Sequence, residues 1–487
     1  MRIVLAFAIN TLFNFIIGLM VAKFLGPEEY GRFALALAAG IVVQTALFDW
    51  VKLAATRFYS ERARTEMPAL RATLEGTFML VACLLLVACG LVMLTHLSLF
   101  RLQSPLVALA LLAAVANGMF DFHAALFRAR FMDRDYVRFI IGKHVLGFGL
   151  TGGGAYIFHS AEIALLGACI SIGGSVLLVR RRLQDPGTGL SAMTKPAAKM
   201  ALAYSLPIVA SNVLYLVAPL FNRGVIASHF GFADTGQFSF AFDMGLRVVA
   251  AIGSALDVLL FQIAVAVDEQ HGSELGKTQI AKNMVVVFAI VAPACAGIWL
   301  VLPSVQAIIV PMQYRGPFAH YLTLVLPGLF CFAMLHYAIN PIFQIAKRTA
   351  PLIVAAIIAS AADFAIVLLA PQGTDASMIA IAQSAMFIAA FVALVIFALP
   401  MRPQWPKPMQ IITPTLAVAV MAAALWPMRA WTPGILPLLA QIVTGGLIYG
   451  VMVAIFDIAN MRSALLQKLK HRRLSKDYPA PSPQVSK

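Results

Sequence analysis

The sequence predicts an all-α polytopic membrane protein with about 14 transmembrane helices. Of its 487 residues, 61% are hydrophobic and only 12% are charged, whereas about a quarter of the residues in a soluble domain are charged. The mean hydropathy is +0.87. The apolar residues form long continuous runs, not the alternating pattern of barrel strands. The same composition excludes a disordered chain, which needs few apolar residues and many charges.

Apolar runs bounded by charges, glycine or proline mark the predicted spans, because a spanning helix takes ~20 apolar residues. In the first half of the chain these runs are 3–25, 31–53, 76–100, 105–127, 137–159, 161–180 and 200–229. In the second half they are 236–266, 283–310, 318–345, 350–370, 376–400, 409–428 and 435–457. The first run lacks a small-residue cleavage site, so we expect a retained helix and not a signal peptide.

The distribution of basic residues predicts the orientation. Of the 36 lysines and arginines, 28 flank the spans on one side, five flank them on the other, and three lie within spans. Because Lys and Arg concentrate in cytoplasmic segments, both termini are predicted to be cytoplasmic and the number of spans to be even. The net charge of +15 is spread between spans and not gathered on a soluble face, so nucleic acid is not an expected partner.

An internal repeat divides the chain. Residues 21–40 (VAKFLGPEEYGRFALALAAG) and 226–245 (IASHFGFADTGQFSFAFDMG) share six identities, three of them glycines. Both copies join the first two spans of a predicted half, and the even offset of six spans gives a parallel repeat, as in many transporters. The predicted domains are an N-terminal six-helix lobe at 1–182, a cytoplasmic linker at 183–199, a C-terminal six-helix lobe at 200–400, two appended transmembrane helices at 401–461 and a basic cytoplasmic tail at 462–487.

The segment 22–38 (AKFLGPEEYGRFALALA) resembles the N-terminal signature of bacterial polysaccharide-synthesis flippases, and 205–243 (SLPIVASNVLYLVAPLFNRGVIASHFGFADTGQFSFAFD) resembles the start of their second lobe. These flippases belong to the multidrug/oligosaccharidyl-lipid/polysaccharide exporter superfamily. The resemblance implies alternating-access translocation of a polyprenyl-pyrophosphate-linked oligosaccharide from the cytoplasmic to the outer leaflet, for exopolysaccharide, capsule or O-antigen synthesis. It implies a bacterial inner-membrane location, with the lipid-linked substrate, the bilayer, a polysaccharide polymerase and other assembly proteins as partners.

Two other functions compete with this interpretation. A cation-coupled multidrug exporter of the same superfamily would need an acidic cavity for cationic drugs, whereas Arg223 and Arg247 lie within spans. An integral-membrane polysaccharide polymerase or ligase would need a large external loop, and the predicted outer connections are short. The chain has no Walker A motif, nucleophile elbow, CxxC motif or metal-spaced histidine cluster, so no enzyme activity, cofactor or metal is expected.

Ionisable side chains inside the spans are the main candidate site residues, because each costs ~2.5–3.5 kcal/mol at the bilayer centre. Arg247 lies near the middle of the eighth span, and Asp243 lies four residues earlier on the same helical face. Arg247 could bind a pyrophosphate or an acidic sugar, with Asp243 holding it when the site is empty. Alternatively, the two residues could form a structural ion pair.

Arg223, next to Asn222 in the seventh span, and Lys143, in the fifth, are the other two in-span cations. Both could line a cavity, where Arg suits phosphate better than Lys because its planar fork donates two bonds. Both could instead extend to the membrane surface, which is the simpler account of Lys143.

Uncharged polar residues and further acids within the spans are the remaining candidate site residues. Asn10 and Asn14 share a face of the first span, where they could bind sugar hydroxyls or hold helices together at ~0.6–2 kcal/mol each. His336 precedes a proline by five residues, and a kink there would free carbonyl groups to face a cavity. The substrate-binding candidates are Arg247, Arg223, Asn222, Lys143, Asn10, Asn14, Asp243 and His336. The embedded acids Asp257 and Asp363 are the candidates for binding a coupling ion.

Overall fold

The computed structural model describes residues 2–59, 67–183, 189, 192–346, 348, 350–369 and 375–463. The predicted tail from residue 464 onward, part of the predicted linker and the side chain of Asp257 lie outside this description. The described residues are almost entirely helical and form no β-strand beyond one isolated bridge between Leu99 and Leu102. The all-α class predicted from composition is confirmed.

The first helical stretch, Arg2–Phe58, contains two helices that meet at Gly26, whose φ of 75° favours glycine. The part before Gly26 is α1, and the part after it is α2. The other helices are α3 Pro68–Thr95, α4 Ser104–Ala129, α5 133–158, α6 Ala161–Val179, α7 Lys195–His229, α8 Phe232–His271, α9 Ser273–Ile308, α10 317–345, α11 Ala350–Leu369, α12 Ser377–Ala398, α13 Pro408–Leu425 and α14 Ile435–Phe456.

Each of these fourteen helices falls on one of the predicted spans. Eleven described stretches are long and apolar enough to cross a membrane, and the first of them, Ile9–Phe58, contains both α1 and α2. Helices are required because lipid cannot hydrogen-bond exposed backbone groups. Large apolar side chains remain exposed on the outside of these helices, as Leu84 and Leu94 do on α3. The polytopic architecture is therefore confirmed.

Two helices contain a π turn, a local widening that often marks functional sites. In α5 the π turn is Phe148–Gly152, within a glycine-rich run. In α10 it is Leu335–Ile339, directly before Asn340–Ile345. Pro341 follows this second turn and lacks a backbone N–H, so the regular hydrogen-bond ladder is interrupted at the position where the sequence predicts a kink.

The chain divides into two compact units. The first comprises Met1–Ala251, Val310–Phe332 and Ala346–Phe397, and its core includes Trp50, Phe127 and Phe139. The second comprises the remaining segments, with a core cluster around Leu300, Met421 and Leu425.

The first unit contains helices from both predicted lobes. One reason is that α7 packs on α2, where the buried Ser205 hydroxyl donates to the Trp50 carbonyl at 3.1 Å. The six-helix lobe boundaries therefore stay a prediction.

Candidate functional site

A cavity of about 230 Å³ lies within the first unit. Its walls come from α1, α2, α4, α5, α6 and α8, and much of the lining is apolar. The polar and charged lining residues are Asn14, Tyr30, Asn117, Lys143, His144, Thr151, Ser171, Asp243 and Arg247. Four of these (Asn14, Lys143, Asp243 and Arg247) are predicted site residues, so the fold brings together side chains that are far apart in the sequence.

Arg247 is held by a neutral partner. Its guanidinium Nη1 donates a hydrogen bond of 2.6 Å to the backbone oxygen of Asn14 on α1. Gly18 provides space for this guanidinium, because a Cβ atom at that position would lie 3.1 Å from the Arg247 Cζ. Among the described residues Arg247 forms no ion pair with a carboxylate. Its positive charge is therefore positioned but not neutralised.

Lys143 reaches the same cavity from α5. Its ammonium lies over the ring of Phe120 on α4, 4.5 Å from the ring centroid. Such a cation–π contact contributes ~0.5–2 kcal/mol and leaves the charge in place. Within the described part of the chain no carboxylate oxygen lies within ion-pair distance of Lys143. The cavity thus contains two cationic groups without direct counterions.

Asp243 also lines the cavity, but its ion-pair partner is Arg223. The Arg223 Nη2 lies 2.5 Å from the Asp243 Oδ1, and Nη1 donates to the Ala34 carbonyl on α2 at 3.3 Å. The predicted pairing of Asp243 with Arg247 is therefore wrong, because α7 brings a second guanidinium to the carboxylate. Arg223 is only 6% exposed, so it does not extend to the membrane surface.

No protein-family model matches the chain, and no curated protein matches it. Among solved structures it is similar to the lipid II flippase MurJ in an inward closed conformation, with a TM-score of 0.70, 14% identity, and coverage of 92% of this chain and 98% of that chain. It is also similar to an inward-facing multidrug resistance MATE family transporter of the MOP superfamily, with a TM-score of 0.56, 16% identity, and coverage of 86% and 96%.

The chain shares the fold of these two transporters. One of them is a MOP superfamily transporter. The resemblance of segments 22–38 and 205–243 to flippases of the multidrug/oligosaccharidyl-lipid/polysaccharide exporter superfamily is therefore confirmed at the level of the fold. The identities are too low to transfer a substrate.

In this fold the two copies of the internal repeat lie against each other. A Cβ atom on Gly31 would lie 2.9 Å from the Gly236 nitrogen, and one on Gly236 would lie 3.0 Å from the Gly31 nitrogen. The obstacles are backbone atoms, which cannot move aside as a side chain can. The two turns therefore approach more closely than any residue with a Cβ allows, and we call this contact the glycine seam.

Tyr314, in the connection between α9 and α10, contacts both copies of the repeat. Its hydroxyl donates to the Ala22 carbonyl at 3.2 Å, and its ring is fully buried against Tyr30 and Phe240. Burial raises the pKa of the Tyr314 phenol, so the hydroxyl stays protonated and remains a donor. The connection between α9 and α10 is thereby fixed to the end of α1.

None of the other predicted site residues is among the described residues that line the cavity. The Asn10 Oδ1 accepts a hydrogen bond from the His144 Nε2 at 3.0 Å, and this histidine lines the cavity. His336 lies in the second compact unit, in the π turn of α10, where its Nδ1 is 3.4 Å from the Asn340 Nδ2. Asp257 lies in the second unit with only its backbone described.

Asn222 and Asp363 form a separate buried cluster with Gln383 in the first unit. The Asn222 Nδ2 donates to the Asp363 Oδ1 at 2.8 Å and to the Gln383 Oε1 at 3.0 Å. All three side chains are at most 1% exposed. The Asp363 Oδ2 and the Asn222 Oδ1 have no hydrogen-bond donor among the described residues. Two acceptor oxygens are thus buried without a partner, which is costly unless a cation or a proton satisfies them.

Several cavity residues are absent from the predicted set. Asn117 on α4 is a polar residue inside a predicted span and could have been found by the criterion that selected Asn14. Thr151 reaches the cavity from the π turn of α5, and no sequence signal marks that turn. The described residues contain no group of three or more His, Cys, Asp or Glu side chains that could hold a metal ion.

Proposed function

We propose that the protein is a flippase that moves a polyprenyl-pyrophosphate-linked oligosaccharide from the cytoplasmic to the outer leaflet of a bacterial inner membrane. The observation that carries the proposal is the pair of cationic groups in the cavity, Arg247 and Lys143, neither of which has a direct counterion among the described residues. The one acid in the cavity lining, Asp243, is paired with Arg223. Such a site attracts an anion, and charged hydrogen bonds to phosphate are strong.

The glycine seam supports alternating access in the same proposal. The charge count predicts that the repeat turns lie on the outer side, so the seam is the proposed outer gate. An outward-open state would have to separate Gly31 from Gly236 and break the bond from Arg223 to the Ala34 carbonyl. Gating by contacts that form in one state and break in the other is how a transporter exposes its cavity alternately.

A deletion strain tests the proposal. We expect loss of surface polysaccharide together with accumulation of complete lipid-linked oligosaccharide in the cytoplasmic leaflet. The wild-type gene should restore export, whereas a Lys143→Ala variant should not, at equal protein abundance. Normal polysaccharide combined with altered drug sensitivity would instead favour the multidrug exporter, and incomplete polymer with normally translocated intermediate would favour a polymerase or ligase.

We further propose that the buried Asp363 cluster binds the coupling ion. Hard cations prefer oxygen ligands, and the Asp363 Oδ2 and Asn222 Oδ1 are unpartnered acceptors among the described residues. A proton on Asp363 would satisfy the same site. The cluster excludes water, because its three side chains are almost completely buried.

Asp363→Asn should uncouple transport from the ion gradient while leaving the cavity able to bind substrate. We expect the gradient to stop driving transport in proteoliposomes, because an amide carries no negative charge for a cation and cannot take up the proton. Imposing sodium and proton gradients separately identifies the ion. Ser360→Ala, one turn earlier on α11, is the control, because within the described part of the chain that hydroxyl donates to the Leu214 carbonyl and not to the cluster. Unchanged gradient dependence in Asp363→Asn would remove this residue from coupling.

A further inference from the structure

We propose that Lys52 is a positioning residue that keeps the cavity cation Lys143 available to an anionic substrate. It would do so by occupying the carboxylate of Asp121, which otherwise would pair with Lys143. The inference rests on the proposed function, since it concerns how strongly the same cavity attracts an anion. Lys52, Asp49 and Asp121 are not among the residues that line the cavity, and the inference assigns them a role.

Lys52 is the centre of a polar cluster between α2 and α4. Its Nζ lies 2.9 Å from the Asp49 Oδ1 and 3.1 Å from the Asp121 Oδ2. The Gln44 Nε2 donates to the same Asp121 oxygen at 3.1 Å. Asp49 is 7% exposed, and the Lys52 side chain is 25% exposed. One oxygen of Asp121 is therefore held by two donors that both come from α2.

Lys143 lies close to this cluster without joining it. Its ammonium is placed over the ring of Phe120, which directly precedes Asp121 on α4. Asp121 is the charged group that acts electrostatically on Lys143, yet no ion pair links the two side chains. Of the two lysines that act electrostatically on Asp121, only Lys52 forms an ion pair with it among the described residues.

The charges in the cluster determine what would follow if Lys52 were neutral. Asp49 and Asp121 would then have no directly contacting ammonium, and Lys143 would be the cation that acts on Asp121. A direct contact would withdraw Lys143 from the cavity. Arg247 would then be the one described cation in the cavity lining without a direct counterion. The cavity would attract an anion less strongly, because unpaired charge in a poorly solvated site acts over longer distances than in water.

Purified full-length protein tests this inference, with farnesyl pyrophosphate as a soluble probe of the anion site. We expect Lys52→Gln to lower the affinity per folded molecule by roughly tenfold. Asp121→Asn should raise it, because the competing carboxylate becomes neutral. The double variant Lys52→Gln/Asp121→Asn should return to near the wild-type affinity. Lys277→Gln is the matched control, since Lys277 pairs with Glu274 at an exposed helix start.

A purely structural role for the cluster predicts a different pattern. Lys52→Gln would then lower the thermal stability and the folded fraction but not the affinity of the molecules that fold, and Asp121→Asn would not raise it. Either result would overturn the inference. If Lys52→Gln does not fold, the other two variants still test the inference. A higher probe affinity in Asp121→Asn, with an unchanged affinity in Lys277→Gln, would support it, and an unchanged affinity in both would overturn it.

Lys143→Ala separates this inference from the proposed function. Reduced probe affinity in Lys143→Ala with no effect of the Lys52 and Asp121 variants would overturn only the role of Lys52. Unchanged affinity in Lys143→Ala would overturn both, because Lys143 would then not belong to an anion site.

Discussion

Arg247→Ala should abolish translocation while the amount of protein in the membrane stays unchanged. The guanidinium is fixed by the Asn14 carbonyl and has no carboxylate partner among the described residues, so it is preorganised for an anion that enters the cavity. A bidentate phosphate contact contributes ~3–6 kcal/mol, at ~1.5–3 kcal/mol for each charged hydrogen bond. Transport should therefore fall by roughly a hundredfold or more.

Two further variants separate the charge of Arg247 from its shape. Arg247→Lys keeps the positive charge but loses the planar fork, so we expect partial activity. Gly18→Ala keeps the arginine in the sequence but puts a Cβ atom 3.1 Å from its Cζ, which should displace the guanidinium and reduce transport. Transport is measured as restored surface polysaccharide in the deletion strain, and abundance by immunoblotting of membranes.

A structural role for Arg247 would give a different outcome. Loss of abundance equal to the loss of transport would show that the residue holds α8 against α1 and does not bind substrate. Lys277→Ala provides the control for removing a basic residue, because its one ion pair with a described residue is with the exposed Glu274.

Gly31→Ala and Gly236→Ala should each prevent the outer gate from closing. Each added methyl group would press against backbone atoms of the other repeat copy, such as the Gly236 nitrogen at 2.9 Å and the Gly31 nitrogen at 3.0 Å. Overpacking of this kind costs ~1–3 kcal/mol. That cost applies only to the closed gate, so the ratio of closed to open molecules should fall by about 5–150-fold. Transport should be lost because the cycle stops in the outward-open state.

Cys169 provides a reporter of the gate, because it lines the cavity and is 6% exposed in this structure. In a background where Cys83, Cys89, Cys295 and Cys331 are replaced, a membrane-impermeant thiol reagent added from outside should label Cys169 faster in Gly31→Ala than in the wild type. Gly90→Ala is the matched control, since a Cβ atom there meets no other atom within 4 Å.

The labelling rate also tests the predicted orientation. Faster labelling only from the cytoplasmic side would place the seam on the opposite face of the membrane. Equal labelling of Gly31→Ala and the wild type, with normal transport, would show that the seam is not a gate.

Part of the site followed from the sequence, because a charge inside an apolar run is visible without any structure. This criterion selected Arg247, Lys143 and Asp243, which all line the cavity. It failed for the partner of Asp243. Helical spacing places Asp243 and Arg247 on one face, but a residue on a neighbouring helix, Arg223, contacts the carboxylate.

The cluster of Asn222, Asp363 and Gln383 shows still more clearly that a sequence identifies single residues but not their partners. Its members are separated by 141 and 161 residues, so no local pattern links them. Asp363 is recognisable in the sequence as an acid inside an apolar run, whereas Gln383 is not. Both belong to the cluster because α7 brings Asn222 against α11 and α12.

By itself the sequence determined that this is an all-α membrane protein, where its fourteen helices lie and where the repeat turns fall. These features follow from hydropathy, charge and turn residues, which act locally along the chain. The tertiary structure alone decided which charges are paired and which are left facing the cavity. It also decided that Gly31 meets Gly236. These outcomes depend on which helices become neighbours, and lateral packing of apolar helices in lipid is set by side-chain fit, which leaves little trace in hydropathy.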